Sequence, residues 1–231
     1  MKFIPVLYIM TLKSKYEFKI IIEVQRMMTK RISLKETQRK ERERLILDYA
    51  EKALLEKGYY DMNMDEIAMG VGVAKGTLYL HFPKKEDLVY TLVEPKMQSF
   101  LKSVEEAKAL PVSPKEKLEF LLNRELSGAF FQLLMKSSPD MTTIFKSREA
   151  EVNDILPKIF SGIHDMLSEG IREGLFDPEL PVEFMSSAFI NLFEPHLYKE
   201  MVEVRKMPLQ VFNSHLSNLF FRGIMDTKET N

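Results

Sequence analysis

Two glycines one residue apart, Gly70 and Gly72, limit the folding of this chain more than any other feature. Just upstream, NMDEIAMG opens on Asn63, a good helix N-cap, with Glu66 three places on in a capping-box-like arrangement. The helix it starts must be short, because the glycine pair ends it. Just downstream, GVAKGTLYLHF restarts a helical pattern from about Ala74 to Leu80. A longer helix precedes both, from about Lys35 to Lys57. In it Ile46, Ala50, Ala53 and Leu54 recur at i, i+4, i+7 and i+8 as one buried stripe. Gly58 stops that helix. One long helix and two short ones, the short pair joined by a tight glycine turn, form a three-helix helix-turn-helix unit.

The last short helix has an unusual outer side. Positions 74, 78 and 82 share a face, so Leu78 and Phe82 pack inward. Lys75 and Tyr79 point out together, and Thr77 and His81 occupy a neighbouring strip. Gly76 between them lets another surface approach the backbone. A charge, two hydroxyls and a ring N–H are groups that contact phosphates and base edges. The plain alternative is a solvated helix, and His81 equally suits a helix C-terminus, where a cation is favoured.

Charge is distributed unevenly. The net charge is −1, yet residues 1–96 hold 18 Lys+Arg against 14 Asp+Glu and the remainder 15 against 20. The basic excess peaks between Arg26 and Arg44, with eight cations against three glutamates. A basic front half and an acidic back half point to a polyanion-binding module joined to something else.

These residues together carry a resemblance. Ile46-Leu47, Glu56-Lys57-Gly58-Tyr59, Asp65-Glu66-Ile67-Ala68, Gly72 through Tyr79, His81-Phe82 and Lys85-Glu86-Asp87-Leu88 resemble the TetR family of bacterial transcriptional repressors. The likeness covers roughly residues 42–90. A weaker echo runs through Glu169-Gly170 and Glu173-Gly174-Leu175-Phe176-Asp177-Pro178-Glu179. The resemblance implies that Lys75, Gly76, Thr77, Tyr79 and His81 contact DNA and that Lys85 touches phosphate. It implies that Asn63 sets a helix N-terminus against phosphate, with Arg39 and Arg42 as further backbone contacts. Departures from the family pattern are Leu80, where many relatives carry tyrosine, and Ala74, where serine is common and would cap the helix. Lys84 replaces a usual capping residue, and Leu54 a common phenylalanine.

The rest of the chain reads as helices. A long one is expected from about Lys85 to Ala109, then one from Ser113-Pro114 to about Lys136 and a short one opening at Ser138-Pro139. Further helices are expected over about Val152–Glu173, Val182–Lys206 and Leu209–Met225. About nine helices make the fold all-α. Pro95 and Pro195 fall inside expected helices, where each should kink or break its helix. The expected domains are an N-terminal extension of doubtful structure at 1–28, a helix-turn-helix domain at 29–90 and a ligand-binding and dimerisation domain at 91–231. The apolar stretch FIPVLYIMTL is too short to span a bilayer and lacks a cleavage pattern. Met28 therefore offers an alternative start, with residues 1–27 dispensable.

No cysteine is present, which excludes disulfides and thiolate metal sites and suits a reducing cytoplasm. The four histidines fall in no metal-binding spacing, so no metal site and no cofactor are expected. No acid–base or nucleophile constellation argues for an enzyme. Phe131, His164, Phe189 and Phe193 are candidates to line an effector pocket, although phenylalanines at helical spacing are more often core. Met185, Phe189, Phe212, Leu216, Leu219 and Phe220 form apolar stripes expected to build a two-fold dimer interface; the alternative is that they complete the protomer core. The expected function is a cytoplasmic, homodimeric DNA-binding regulator without membrane association. It would repress from a palindromic double-stranded operator and be released by a small, apolar effector. The runner-up is a DNA-binding protein of the same fold that answers to a protein partner or to no ligand.

Overall fold

The computed structural model describes residues 6–128, 131, 133 and 141–226, with side chains from residue 34 onward except 141–143. The expected helix opening at Ser138-Pro139 lies outside them. The described chain is all-helical apart from one isolated antiparallel bridge between Phe176 and Met225. It divides into two compact units, residues 1–46 and 47–231.

Helix α1 runs from Val6 to Asp61, so it begins well upstream of Lys35 and includes most of the N-terminal extension. Gly58 interrupts it with φ 81°, which L side chains rarely adopt. Ile46, Ala50 and Leu54 are fully buried, and Ala53 is half-buried. Helices α2 (Met64–Val71) and α3 (Lys75–His81) follow, then α4 (Lys85–Ala109) and α5 (Pro114–Leu126). Ser113 caps α5: its Oγ accepts from the Glu116 N–H, and the Glu116 carboxylate accepts from the Ser113 N–H in return. This helix ends at Leu126, ahead of the expected Lys136, where Ser127 and Gly128 follow.

Helices α6 (Met141–Ser147) and α7 (Glu149–Arg172) come next. The longer one packs on both α4 and α5. Gly162 lies close against α4, since a Cβ there would overlap the Val104 side chain. Gly174, at φ 75°, turns the chain out of α7.

The expected helix over Val182–Lys206 is three pieces: α8 (Val182–Asn191), α9 (Pro195–Tyr198) and a π-helical turn at Lys199–Val204. Pro195 causes the break. It has no N–H to donate back and sits at the first helical position of α9, where none is needed. Pro95, in contrast, lies inside an uninterrupted α4, whose neighbouring Leu92, Val93 and Met97 are buried. Helix α10 (Leu209–Ile224) closes the chain against α5.

The apolar stripes assigned to a dimer interface need correcting. Met185, Phe189, Phe212, Leu216 and Phe220 are buried within the single chain, and only Leu219 of the six is exposed. Their periodicity marks the face each helix turns to its own protomer, and the rings of Phe189 and Phe220 meet edge to face at 5.3 Å.

Candidate nucleic-acid interface

Helix α2 begins as its sequence dictates. The Asn63 Oδ1 accepts from the Asp65 N–H at 2.8 Å. Glu66 does not return the bond to complete a box; its carboxylate accepts from Lys57 Nζ of α1 at 2.6 Å. Gly72 ends the helix at φ 75° with its N–H on the Met69 carbonyl, and the Val73 N–H reaches the Ala68 carbonyl. These two bonds fold the chain back at the glycine turn and satisfy carbonyls that α2 would otherwise leave open.

Helix α3 starts at Ala74, which offers no side-chain cap. Leu78 and Phe82 are buried, as the spacing requires. On the outside, Lys75 Nζ donates to Asp65 Oδ2 at 2.7 Å and stands 5.9 Å from the Tyr79 ring centre. That carboxylate raises the lysine pKa first through its hydrogen bond and then through its charge. Thr77 and His81 are half-buried, and Gly76 is exposed with open space where a Cβ would stand. The residue that projects furthest was not among the expected contacts. Leu80 is 81% exposed, against 38% for Tyr79. Sequence reasoning registered only that it replaces a tyrosine. The signal available was angular, because Leu80 lies directly opposite the Leu78–Phe82 face.

Lys85, opening α4, is held over the Tyr59 ring at 4.4 Å and donates to the Tyr60 carbonyl at 3.3 Å. Tyr59 donates its hydroxyl proton to Glu86 at 3.0 Å. The other side of the same turn is gripped from α6–α7. Arg148, between those helices, donates to Asp87 Oδ1 at 2.8 Å and to Glu151 at 3.2 Å, and it lies over the Tyr90 ring. Asp87 Oδ2 meanwhile accepts from the Lys84 N–H at 3.1 Å. One carboxylate thus starts α4 and receives Arg148.

The structure therefore gathers Asn63, Lys75, Gly76, Thr77, Tyr79, His81 and Lys85 within α2, α3 and the start of α4. Arg39 and Arg42 are exposed on α1 in the other compact unit.

Three of the four effector-pocket candidates join ring contacts. Phe193 meets Phe100 at 5.4 Å and Phe189 at 5.9 Å, while Phe131 meets Tyr198 at 5.1 Å. Tyr198 also meets Phe212 at 5.7 Å, a position set by the break at Pro195. All three phenylalanines are buried. His164 is apart from these rings, half-exposed on α7 with Nε2 4.0 Å from Glu183. Among the described residues no group of His, Asp or Glu could hold a metal ion, and no helix is long and apolar enough to cross a membrane.

Comparison with known proteins takes up this geometry. Residues 46–91 match the family described as bacterial regulatory proteins, tetR family. Over those residues the chain is similar to the DNA-binding domain of the TetR family. A fatty acid metabolism regulator protein of Bacillus subtilis (strain 168) is 25% identical over 181 residues, 78% of this chain and 93% of that protein. The crystal structure of the transcriptional regulator FadR from Bacillus subtilis, in complex with stearoyl-CoA, is similar with a TM-score of 0.58 and 25% identity. That match covers 78% of this chain and 98% of the FadR chain. A regulator from Saccharomonospora viridis, in complex with choline, is similar at TM-score 0.65 and 18% identity, covering 81% and 99% of the two chains. That last likeness is one of fold. The chain is a helix-turn-helix DNA-binding transcription regulator, and the relatives it matches are regulators rather than enzymes.

Proposed function

We propose that this regulator binds a palindromic DNA operator as a homodimer, through α3 of each protomer, and is released by an acyl-CoA. The observation that carries the DNA reading is α3 itself. Its apolar side is buried by Leu78 and Phe82, while Lys75, Thr77, Tyr79 and His81 flank an open glycine on the other side. An α-helix of that kind fits the major groove. Asn63, Lys85, Arg39 and Arg42 serve as phosphate contacts that fix register. Two copies related by a two-fold axis present two such helices to half-sites about 34–36 Å apart, or a multiple of that.

The effector class is supported by the 25% identity to a fatty acid metabolism regulator over 78% of this chain. The stearoyl-CoA complex of the similar FadR structure supports it further. The long apolar chain of such a ligand suits a domain whose interior is rich in phenylalanine, with Phe131, Phe189 and Phe193 as lining residues and His164 outside them. Release requires only that the ligand favour the conformation with the poorer DNA fit. The partner-facing surface of the dimer is drawn from apolar side chains that remain exposed, Phe184 and Leu219 first.

A gel-shift titration tests this reading. DNA from upstream of the protein's own gene is bound in the presence of stearoyl-CoA, free CoA or neither. Stearoyl-CoA should release the DNA and free CoA should not. DNA affinity indifferent to stearoyl-CoA sinks the effector class; no sequence-specific binding at all sinks the operator.

A further inference from the structure

We propose that Leu80 reads the 5-methyl group of a thymine in the major groove, and so fixes thymine at one position in each half of the operator. The inference rests on the reading of α3 as the groove-entering helix.

The argument begins with direction. A helix turns about 100° per residue, which puts Leu80 roughly 180° from the middle of the buried Leu78–Phe82 side. The exposures agree: Leu78 is 0% exposed, Phe82 4% and Leu80 81%. Whatever surface α3 meets face-on, Leu80 meets first. The polar groups stand to either side, Lys75 and Tyr79 along one edge and Thr77 and His81 along the other. One turn before Leu80 on the same side is Gly76, where a Cβ would find nothing within 4 Å. The centre of the exposed face is therefore an apolar side chain beside a bare stretch of backbone.

Chemistry then narrows the partner. Leucine has no donor or acceptor, so it neither binds phosphate nor reads a base by hydrogen bonds. In the major groove the apolar feature that distinguishes one base from the others is the thymine 5-methyl. Leu80 buried against it removes apolar surface of both groups from water. Gly76 gives the room for that approach, since a side chain there would hold the bases away from Leu80. Lys75, drawn aside onto Asp65 at 2.7 Å, does not cover the leucine.

The test replaces a methyl group with hydrogen. Duplexes that the wild-type protein retains are first selected from a random-sequence pool. Each thymine pair related by the palindrome is then exchanged for deoxyuridine, which keeps every hydrogen-bonding group and loses only the methyl. At one symmetric pair the wild type should lose about fourfold in affinity per half-site, roughly fifteenfold in all. Leu80→Ala should bind the parent duplex more weakly and no longer distinguish thymine from uracil at that pair. Because Leu80 is exposed, this variant should keep the wild-type melting curve. Leu80→Gln, taken through a fresh selection, should shift that position toward adenine, the base a glutamine amide reads. Wild-type binding unaffected by every uracil exchange overturns the proposal while leaving DNA binding intact. So does a Leu80→Ala protein that still senses the methyl at the same pair. A wild type that selects no sequence overturns the operator reading itself.

Discussion

Helices α2 and α3 on one hand, and α8 to α10 on the other, are both made of short helical pieces joined by abrupt breaks. They are held in opposite ways. In the first region each break has a backbone device: Asn63 caps α2, and Gly72 turns the chain in a left-handed conformation. Few side chains are buried there, chiefly Met64, Ile67, Ala68, Leu78 and Phe82. In the second region the pieces are held by rings, through Phe189, Phe193, Tyr198, Phe212 and Phe220 in edge-to-face contact. A unit that uses the outside of its helices for a partner has only one side left for a core, so it relies on local geometry. A unit whose helices bury most of their aromatic side chains inward relies on volume.

This contrast can be broken by mutation, with stabilities measured by chemical denaturation at fixed protomer concentration. Phe189→Ala should have the largest effect, about 3–5 kcal/mol, as a fully buried ring leaves a cavity among other rings. A loss below about 1 kcal/mol would mean that the aromatic cluster is loosely packed. Leu78→Ala should cost about 2–4 kcal/mol. Gly72→Ala should cost about 1–2 kcal/mol, purely because an L residue must adopt φ 75° where no neighbour crowds it. An unchanged denaturation midpoint would show that the turn can be made another way.

Smaller still is the effect of Glu125, buried on α5. Burial raises its carboxyl pKa, with a Ser103 hydrogen bond and the Arg124 charge opposing. A raised folded-state pKa favours the native state at low pH. That advantage is lost as pH climbs from the ordinary carboxylate value through the raised one. Wild type should therefore lose stability relative to Glu125→Gln across that window, and the two should run parallel below it. Parallel curves throughout would mean Glu125 is ionised in the fold at no cost. Tyr79→Ala should change stability least, since its side chain faces outward, while operator affinity falls by roughly tenfold. A variant that binds normally would remove Tyr79 from the interface.

Local chemistry explains what could be read in advance. The Asn63 cap, the Gly72 turn, the helix start at Ser113-Pro114 and the break at Pro195 each depend on a few adjacent residues. Where a distant residue intervenes, the reading fails. Glu66 stands at the right spacing for a capping box, yet Lys57 from α1 takes it. Apolar periodicity at Met185, Phe189 and Phe220 reports that a face is covered but not by which chain, and the protomer itself covers it. The early end of α5 had a signal in Ser127-Gly128, which a longer pattern overrode. Within the candidate site the polar residues were legible because a family pattern marks them. Leu80 was not, because its angular position opposite Leu78 and Phe82 marks only an outward side chain, and a leucine carries no polar group to name a partner.

The ion pair between Lys75 and Asp65 has a consequence for how tightly salt controls DNA binding. A lysine that meets a phosphate frees the cation condensed there, and each such release steepens the fall of affinity with salt by about 0.9 in the logarithmic slope. If Lys75 meets a phosphate as proposed, it does not come to that encounter unattached, since it must leave the Asp65 carboxylate behind. The abandoned Asp65 gathers a cation of its own from solution and cancels part of the release. The chain should thus show a shallower salt slope than a count of its interface lysines implies. Asp65→Asn, which leaves Lys75 without its present partner, should steepen it.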